Sequence, residues 1–280
     1  MLMDQSSWDD TLVDVGPPRP FPGDAVSHQS SRDKRQERSP GKTSRGEGRA
    51  ISVPGDLPTG SEKRRAVRGM FDRIAGRYDL VNRVMTFGMD VGWRRRTVTE
   101  LRLPGRAVVA DLACGTGDLC TELVGAGYRA VGVDFSHGML VNATTFAPLV
   151  EADVLRLPFA DSTIDGTTCG FALRNVTGLA ELFAETARVL RGGGRAAFLE
   201  TAEPENAVMR AGHSVYFKRV VPLVGGALSD RDAYRYLPRS MAYLPPGREL
   251  VELLRDAGFV DVQRFGLSGG VAQLLVGTRR

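Results

Sequence analysis

The sequence predicts an α/β fold with an open, mostly parallel sheet, and three observations support this fold class. An apolar run at residues 108–110 ends in Asp111 and a glycine-rich turn, which is typical of a buried strand whose carboxyl end faces a ligand. Strand-like and helix-like patterns then alternate with short connections. The last two strand-like runs flank Gly269 and Gly270, which predicts a hairpin. We therefore expect a seven-stranded sheet with helices on both faces.

Each element of this fold follows from its own pattern. Apolar runs bounded by turn residues predict strands at about residues 107–111, 129–133, 149–151, 165–170, 195–200, 261–266 and 271–277. Apolar residues at helical spacing predict helices near residues 117–126, 137–146, 178–190 and 247–257. We expect residues 191–194 to end the third helix as a glycine cap, and Pro246 with Gly247 to begin the fourth.

The glycine-rich turn after the first strand predicts a binding site of nucleotide size. Gly115 and Gly117 allow the tight turn and the close backbone approach that a ligand above a strand end requires. An NAD site is the main alternative, but Cys120 stands where its third glycine belongs. Asp118 also stands at the start of the helix, where a carboxylate competes with a pyrophosphate for the amides. A cofactor without phosphate and with a positive centre, such as S-adenosylmethionine, fits these residues better.

A second acid favours a ligand site over a turn that only joins a strand to a helix. Asp134 ends the following strand, about 20 residues after Asp111, where a carboxylate binds the ribose of a nucleotide. S-adenosylmethionine combines an adenosine with cationic sulfonium and ammonium groups, so both acids suit it. These residues therefore predict an enzyme that uses S-adenosylmethionine, with an NAD dehydrogenase as the alternative.

The chain divides by composition into an N-terminal tail and one folded domain. Residues 1–62 are rich in Ser, Pro, Gly, Asp and Arg and lack sustained apolar periodicity, so burial cannot offset the entropy cost of folding. The mixed-charge run at residues 31–38 suits a solvated linker better than an arm that binds a polyanion or anionic lipid. We predict a disordered tail over 1–62 and a domain over 63–280, with lid helices at 63–103 and the sheet at 106–280.

Composition also limits the partners and the compartment. The formal net charge of +4 over 280 residues is mild, and no basic stripe alternates with aromatic residues, so nucleic acid is not an expected partner. The absence of an apolar run of about 18 residues and of a secretory signal predicts a cytoplasmic protein, or one peripheral at the inner face of a membrane. The cysteines and histidines lack metal-ligand spacing, so we expect no metal site.

Two segments outside the sheet bear on how a ligand is covered. Apolar residues recur at helical spacing from Val67 to Met85 with charged residues on the other face, which predicts one amphipathic helix. This helix can cover the core or form a lid over the crevice.

The apolar stretch at residues 215–226 is interrupted by Pro222 and is too short to span a bilayer. It can line an apolar pocket, contact a membrane or be a buried connector.

Several segments between about residues 64 and 279 form an ordered set of motifs. An N-terminal block runs from Met70 to Asn82 and is followed by residues 93–95, and a glycine-rich loop runs from Asp111 to Asp118. The other segments, in chain order, are residues 134–140, 153–154, 157–159, 171–176 and 234–240. Together these segments resemble the ubiquinone/menaquinone biosynthesis C-methyltransferase family, and their order and spacing make the resemblance specific.

The resemblance implies the Rossmann-like fold of the class I S-adenosylmethionine-dependent methyltransferases and a set of cofactor residues. We assign Asp111 and Thr116 to the amino group of the cofactor and the turn, and Asp134 to the ribose. Asp153 and Val154 match the stretch that faces the adenine in the family. The predicted cofactor set is Asp111, Gly115, Thr116, Gly117, Asp134, Asp153 and Val154.

The resemblance also implies three catalytic residues, which are Tyr78 of the lid helix, Arg174 and Asn175. Because arginine is always protonated, we assign Arg174 to stabilising a developing phenolate. A water held by Tyr78 and Asn175 would then remove the proton. His213 is the alternative base, because imidazole titrates near neutrality.

The implied function is carbon methylation of a prenylated quinol, with conversion of demethylmenaquinol to menaquinol preferred over a benzoquinol reaction. C- or O-methylation of another aromatic small molecule stays open, as does a non-catalytic subunit that binds S-adenosylmethionine in a quinone-synthesis complex. The expected partners are a lipophilic prenyl quinol and a membrane surface contacted peripherally. A homodimer is also compatible with the sequence.

Overall fold

One sheet of seven strands organises the residues that this computed structural model describes, which are 59–216, 219, 236 and 239–280. The strands are β1 Val108–Leu112, β2 Arg129–Asp134, β3 Leu149–Glu151, β4 Ile164–Gly170, β5 Leu190–Thr201, β6 Phe259–Leu267 and β7 Ala272–Arg279. Their order across the sheet is β3-β2-β1-β4-β5-β7-β6. All seven predicted strands are present, although β5 begins earlier than predicted.

The strand directions confirm the predicted fold class. Strands β3, β2, β1, β4 and β5 are parallel, and β7 is antiparallel to both β5 and β6. The predicted hairpin joins β6 to β7 through a turn in which Gly269 and Gly270 have φ angles of +71° and +93°. The chain builds the sheet outward from β1 in one direction and then, from β4 onward, in the other. This reversal leaves a crevice at the carboxyl ends of β1 and β4.

Helices cover both faces of the sheet. Their bounds are α1 Gly60–Ile74, α2 Tyr78–Met85, α3 Met89–Leu101, α4 Asp118–Gly125, α5 His137–Val141, α6 Leu179–Val189, α7 Ala207–Val215 and α8 Gly247–Asp256. One apolar core, which includes Phe183 of α6 and Leu250 of α8, packs on one face. A second core, which includes Leu101 of α3 and Leu123 of α4, packs on the other.

The prediction of one amphipathic helix from Val67 to Met85 is wrong. A 3-10 turn at Ala75–Arg77 separates α1 from α2. Ile74 before the break and Val81 after it pack in one apolar cluster with Met139 of α5. The structured part also begins before the predicted boundary at residue 62, because α1 starts at Gly60. Residues 1–58 of the predicted tail lie outside the described residues.

Two predicted helix ends are also wrong. The helix predicted to reach residue 146 ends at Val141, because the chain turns back and the backbone N–H of Thr144 donates to the Thr116 carbonyl at 3.0 Å. Residues 191–194 do not cap a helix. Helix α6 ends at Val189, and the glycines lie within β5, which starts in the extended conformation. Pro246 and Gly247 begin α8 as predicted.

Among the described residues, no helix is both long enough and apolar enough to cross a bilayer. The apolar stretch at 215–226 lies largely outside the described residues, as does much of the segment at 234–240.

Candidate active site

A cleft opens at the carboxyl ends of β1, β2 and β4, where the sheet reverses its winding. Four of the predicted cofactor residues line it, namely Gly115, Asp134, Asp153 and Val154. Arg64 of α1 and Tyr78 of α2 close its other side. Residues of the N-terminal helices α1 and α2 therefore form one wall of the cleft.

The glycine turn after β1 needs glycine at two positions for different reasons. Gly115 has φ +58°, and a Cβ there would meet no atom within 4 Å, because the position faces open space in the cleft. Gly117 has φ +87° and precedes α4, and a Cβ there would lie 2.6 Å from Thr145 Cγ2. Gly115 thus leaves room for a ligand, whereas Gly117 leaves room for the protein's own chain.

Asp134 at the end of β2 keeps the capacity to bind hydroxyl groups. Its Oδ2 accepts from the Gly115 backbone N–H at 2.8 Å, and its Oδ1 accepts from the Ser136 N–H at 2.8 Å. Each carboxylate oxygen can accept a second hydrogen bond, so the donors of a ribose fit the remaining lone pairs. Burial raises the pKa of Asp134, and the backbone donors oppose that shift.

Asp153 and Val154 also line the cleft, after β3. Asp153 Oδ1 accepts from the Leu155 N–H at 3.0 Å, which fixes its side chain. Its Oδ2 forms an ion pair with Arg64 of α1. Asp153, which matches the stretch that faces the adenine in the family, therefore also pairs with the helix that covers the cleft.

Asp111 lies beneath the glycine turn and does not line the cleft. Its side chain is 1% exposed, Oδ1 accepts from Thr168 Oγ1 at 2.7 Å, and Cys120 Sγ donates to Oδ2 at 3.5 Å. Burial is the main reason that the pKa of Asp111 rises to about 7, and the two donors oppose this shift. The structure thus gives Asp111 a supporting position under the turn, and its assignment to the amino group of the cofactor stays a prediction.

Two polar contacts fasten the glycine turn to the covering helices. Thr116 Oγ1 donates to Asp79 Oδ1 of α2. Asp118, at the start of α4, forms an ion pair with Arg94 Nη2 of α3 at 2.7 Å. The start of α4 therefore presents a balanced ion pair rather than an isolated carboxylate.

A second and larger cavity of about 300 Å³ lies beside the cofactor cleft. Its walls come from α2, α3, α7 and the end of β5, and many of its side chains are apolar, including Met85, Phe87 and Met209. Tyr78 and Phe171 line both the cleft and this cavity. The two spaces therefore meet at these two aromatic side chains.

Arg174 lines the larger cavity and is paired with a residue that the sequence analysis missed. Its Nη1 donates to Oε1 of Glu200 at the end of β5, and its backbone N–H donates to Oε2 of the same carboxylate at 3.3 Å. Arg174 is 6% exposed and Glu200 is fully buried. Glu200 follows an apolar strand, as Asp111 and Asp134 do, so the same pattern of a strand ending in an acid would have identified it.

Lys63 of α1 holds the segment that carries Arg174 and was also missed. Its Nζ donates to the carbonyls of Arg174 at 2.9 Å and Val176 at 3.1 Å, and it lies 3.7 Å from the centroid of the Tyr243 ring. Burial lowers the pKa of Lys63 to about 8. This contact spans more than a hundred residues of sequence, so no local pattern indicates it.

The structure brings the three predicted catalytic residues to the junction of the two spaces. Tyr78 lines both, Asn175 lines the cofactor cleft and Arg174 lines the larger cavity. Burial raises the pKa of Tyr78, and the positive charges of Arg174 and Arg94 oppose this shift. Asn175 Oδ1 accepts from the Tyr236 hydroxyl at 3.4 Å.

His213 of α7 lines the larger cavity, which keeps the alternative base within reach of a substrate there. Burial lowers its pKa, and the negative charge of Glu203 opposes the shift. Among the described residues, no group of three or more histidine, cysteine or carboxylate side chains could hold a metal ion.

The strand order, the antiparallel β7 and the cleft at the carboxyl ends define the class of protein as the class I S-adenosylmethionine-dependent methyltransferases. Residues 59–279 match the model of the ubiE/COQ5 methyltransferase family, and the chain belongs to this family. Membership confirms the predicted enzyme class and its cofactor, S-adenosylmethionine. It also removes the alternative of an NAD dehydrogenase.

Curated relatives cover most of the chain. A demethylmenaquinone methyltransferase of Roseiflexus castenholzii is 43% identical over 80% of this chain and 98% of its own length. A ubiquinone/menaquinone biosynthesis C-methyltransferase of Geotalea uraniireducens is 37% identical over 78% and 98%. A demethylmenaquinone methyltransferase of Mycolicibacterium vanbaalenii is 40% identical over 76% and 94%.

Solved structures support the fold alone. A methyltransferase of Thermotoga maritima, described as a possible histamine N-methyltransferase, has a TM-score of 0.54 at 18% identity and covers 76% of this chain and 99% of its own. A phosphoethanolamine N-methyltransferase of Haemonchus contortus, solved with S-adenosylhomocysteine, has a TM-score of 0.51 at 12% identity and covers 67% and 52%.

Proposed function

We propose that this protein methylates a ring carbon of a prenylated quinol and that its preferred reaction is demethylmenaquinol to menaquinol. The names of the curated relatives support a quinone-pathway substrate. The observation that carries the proposal is the large, mostly apolar cavity that meets the cofactor cleft at Tyr78 and Phe171. An aromatic ring in that cavity would lie next to the cofactor site.

The chemistry requires an electron-rich ring carbon held in line with an electrophilic methyl group, which S-adenosylmethionine supplies when bound. A quinone ring is poor in electrons, whereas a quinol that loses a hydroxyl proton places negative charge on the neighbouring ring carbon. In this proposal Arg174 donates a hydrogen bond to that hydroxyl oxygen and stabilises the developing phenolate. Phe171 and Tyr78 hold the ring at the junction and exclude water from it.

Proton removal has two candidates. In the first, a water held by Tyr78 and Asn175 accepts the hydroxyl proton; Tyr78 keeps its own proton because burial raises the pKa of its phenol. In the second, His213 accepts it, and the lowered pKa of His213 favours the neutral imidazole that can act as a base. Two variants separate these candidates. Tyr78→Phe should lower kcat if the water held by Tyr78 accepts the proton, and His213→Asn should lower kcat if His213 accepts it.

We also propose peripheral contact with the inner face of a membrane, where a prenylated substrate resides. Leu80, Val84 and Phe87 recur at helical spacing along and after α2 and are 59%, 43% and 76% exposed. Val208 and Val215 are exposed on α7. Phe87 is one of these exposed apolar residues and also lines the wall of the large cavity, so the exposed apolar face is continuous with the proposed substrate site.

The test is direct. Purified protein is incubated with labelled S-adenosylmethionine and lipid extract from cells that lack the pathway's methyltransferase, under reducing conditions that keep the quinol form. We expect label in a naphthoquinone lipid that becomes heavier by one methyl group. A matched incubation with a soluble naphthol without the prenyl chain tests the alternative of a small aromatic substrate. Methylation of the naphthol with no label in the lipid would contradict the proposal.

The alternative of a non-catalytic subunit predicts a different result. Such a subunit would bind S-adenosylmethionine but transfer no label to the lipid or to the naphthol. Residence in the cytoplasm and a homodimer stay predictions from the sequence.

A further inference from the structure

Glu200 is a fully buried carboxylate beside the larger cavity, and both of its oxygens accept hydrogen bonds. Its Oε1 accepts from Arg174 Nη1, from the Thr201 N–H at 2.7 Å and from Thr201 Oγ1 at 3.0 Å. Its Oε2 accepts from the Arg174 N–H at 3.3 Å. One carboxylate therefore fixes both the main chain and the side chain of Arg174, and both Arg174 and Thr201 line the cavity.

The proposed function assigns Arg174 to the reacting hydroxyl, and our inference rests on that assignment. We propose that Glu200 is a positioning residue that orients the Arg174 guanidinium and balances its charge. A guanidinium has five N–H donors, so the bond to Glu200 leaves others for the substrate. The substrate hydroxyl then meets a donor that belongs to a neutral ion pair rather than an isolated buried cation.

The charge balance has a chemical consequence. A cation beside a phenolic hydroxyl lowers its pKa, and a paired carboxylate reduces that effect. A hydroxyl with a lower pKa ionises more readily but gives a less nucleophilic ring. Glu200 thus sets the pH at which the bound quinol ionises as well as the direction in which Arg174 points.

The groups around this pair come from several elements. Besides Glu200 on β5, the described titratable or charged residues that face Arg174 or the cavity around it are Lys63, Tyr78, Asp90, Arg94, His213, Tyr216 and Tyr236. Among the described residues, Glu200 is the carboxylate that bonds directly to the Arg174 guanidinium.

The test is the pH profile of kcat for Glu200→Gln. The amide oxygen of glutamine still accepts from Arg174, but the negative charge is gone. We expect the acidic limb of the profile to move to lower pH by about one unit and kcat above that limb to fall about tenfold, with KM for the quinol within about twofold. Binding of S-adenosylmethionine and the melting temperature report whether the variant is folded. The control is Glu185→Gln, which removes a carboxylate paired with Arg188 away from both cavities and should leave the profile unchanged.

Glu200→Asp keeps the charge and shortens the side chain. We expect it to lower kcat without moving the acidic limb, and it keeps the test available if Glu200→Gln does not fold. A folded Glu200→Gln protein with the wild-type profile, or a moved acidic limb in Glu200→Asp, would overturn the inference. Failure of the wild-type protein to methylate the quinol would instead overturn the proposed function.

Discussion

The cofactor cleft and the larger cavity, which we propose as the substrate site, share Tyr78 and Phe171, but they are built in different ways. The cleft is made at the ends of neighbouring parallel strands, and the Gly115 N–H in the turn after β1 donates to Asp134 Oδ2 at the end of β2 at 2.8 Å. Helices enclose much of the cavity. An ion pair between Arg174, in the turn after β4, and Glu200, near the end of β5, lies at its wall. The sheet thus fixes the cofactor site, and the helices shape the proposed substrate site.

This difference separates the two halves of the reaction. The cleft offers fixed hydrogen-bond acceptors at its rigid edge, which suits a cofactor used by a whole class of enzymes. The cavity is formed largely by α2, α3 and α7, whose sequences can change without disturbing the sheet. Variants that damage one side and spare the other can therefore test the division.

The largest effect should come from the substrate side. Arg174→Ala removes the proposed hydrogen-bond donor to the phenolate, and we expect kcat to fall about 100- to 1,000-fold. It also leaves Glu200 as an unpaired buried charge, which should lower the free energy of unfolding by about 3 to 5 kcal/mol. Urea unfolding and steady-state rates measure the two effects.

The double variant Arg174→Met with Glu200→Leu distinguishes these two contributions. We expect it to recover most of the unfolding free energy, because no isolated charge stays buried, while kcat stays low. Recovery of kcat together with stability would show that Arg174 has no role in the chemistry.

The next largest effect is the pH dependence of the unfolding free energy that Asp111, beneath the glycine turn, produces. Because the pKa of Asp111 is raised to about 7 by burial, the folded protein holds a proton on this residue between about pH 4 and 7 that the unfolded chain has released. The stability that this proton contributes is complete below the unfolded pKa and is lost as the pH rises through 7. We expect the unfolding free energy of Asp111→Asn, relative to wild type, to increase by about 3 to 4 kcal/mol from pH 4 to pH 8.

Chemical denaturation of both proteins across this range, without cofactor, measures the difference. Stability curves for the two proteins that run parallel from pH 4 to pH 8 would show that Asp111 is ionised in the folded protein throughout.

The glycine turn gives a crossed comparison within the cofactor side. Gly117→Ala places a Cβ 2.6 Å from Thr145 Cγ2 at a φ of +87°, and we expect a loss of about 2 to 3 kcal/mol of stability. Gly115→Ala meets no atom of the protein, so its stability loss should be about 1 kcal/mol, the cost of its φ of +58°. Its methyl group enters the ligand cleft, so it should weaken S-adenosylmethionine binding more than Gly117→Ala does.

Thermal unfolding and calorimetric titration of the two alanine variants provide the comparison. The same ranking of the two variants in both measurements would mean that the two glycines do not divide their roles between ligand and chain.

The sequence predicted the sheet because each strand carries its own apolar pattern, and it predicted the cofactor loop because Asp111, Gly115 and Asp134 lie at strand ends. The helix break at Ala75–Arg77 and the end of α5 at Val141 were missed, since contacts with distant segments determine both. Most of the predicted cofactor residues do line the cleft, and their individual contacts with S-adenosylmethionine stay predictions.

The substrate side was predicted only in part. Tyr78, Arg174 and Asn175 came from resemblance to a family, and they meet because Tyr78 of α2 lines both spaces while Asn175 lines one and Arg174 the other. Lys63 bonds to Arg174 across 111 residues of sequence. Such contacts have no local pattern, because the partners become neighbours only when the helices pack on the sheet.

A smaller effect tests the ribose contact. Asp134→Ala removes the carboxylate that keeps free lone pairs in the cleft, and we expect the binding free energy of S-adenosylmethionine to weaken by about 1 to 3 kcal/mol. Asp134→Asn keeps one oxygen acceptor for a backbone N–H and should preserve the loop better. An unchanged dissociation constant in calorimetry for both variants would remove Asp134 from the cofactor site.

The smallest effect concerns the apolar face beside the substrate cavity. Phe87 is 76% exposed next to the cavity, whereas Phe146 is 97% exposed on the segment after α5. If the face around Phe87 enters the membrane, Phe87→Ala loses part of the benefit of burying its ring, about 1 kcal/mol, which corresponds to about a fivefold drop in partitioning. Sedimentation with vesicles of phosphatidylcholine and phosphatidylglycerol measures this change. Phe146→Ala removes an equally large side chain and should partition as wild type does, so an equal drop in both variants would place the membrane contact elsewhere.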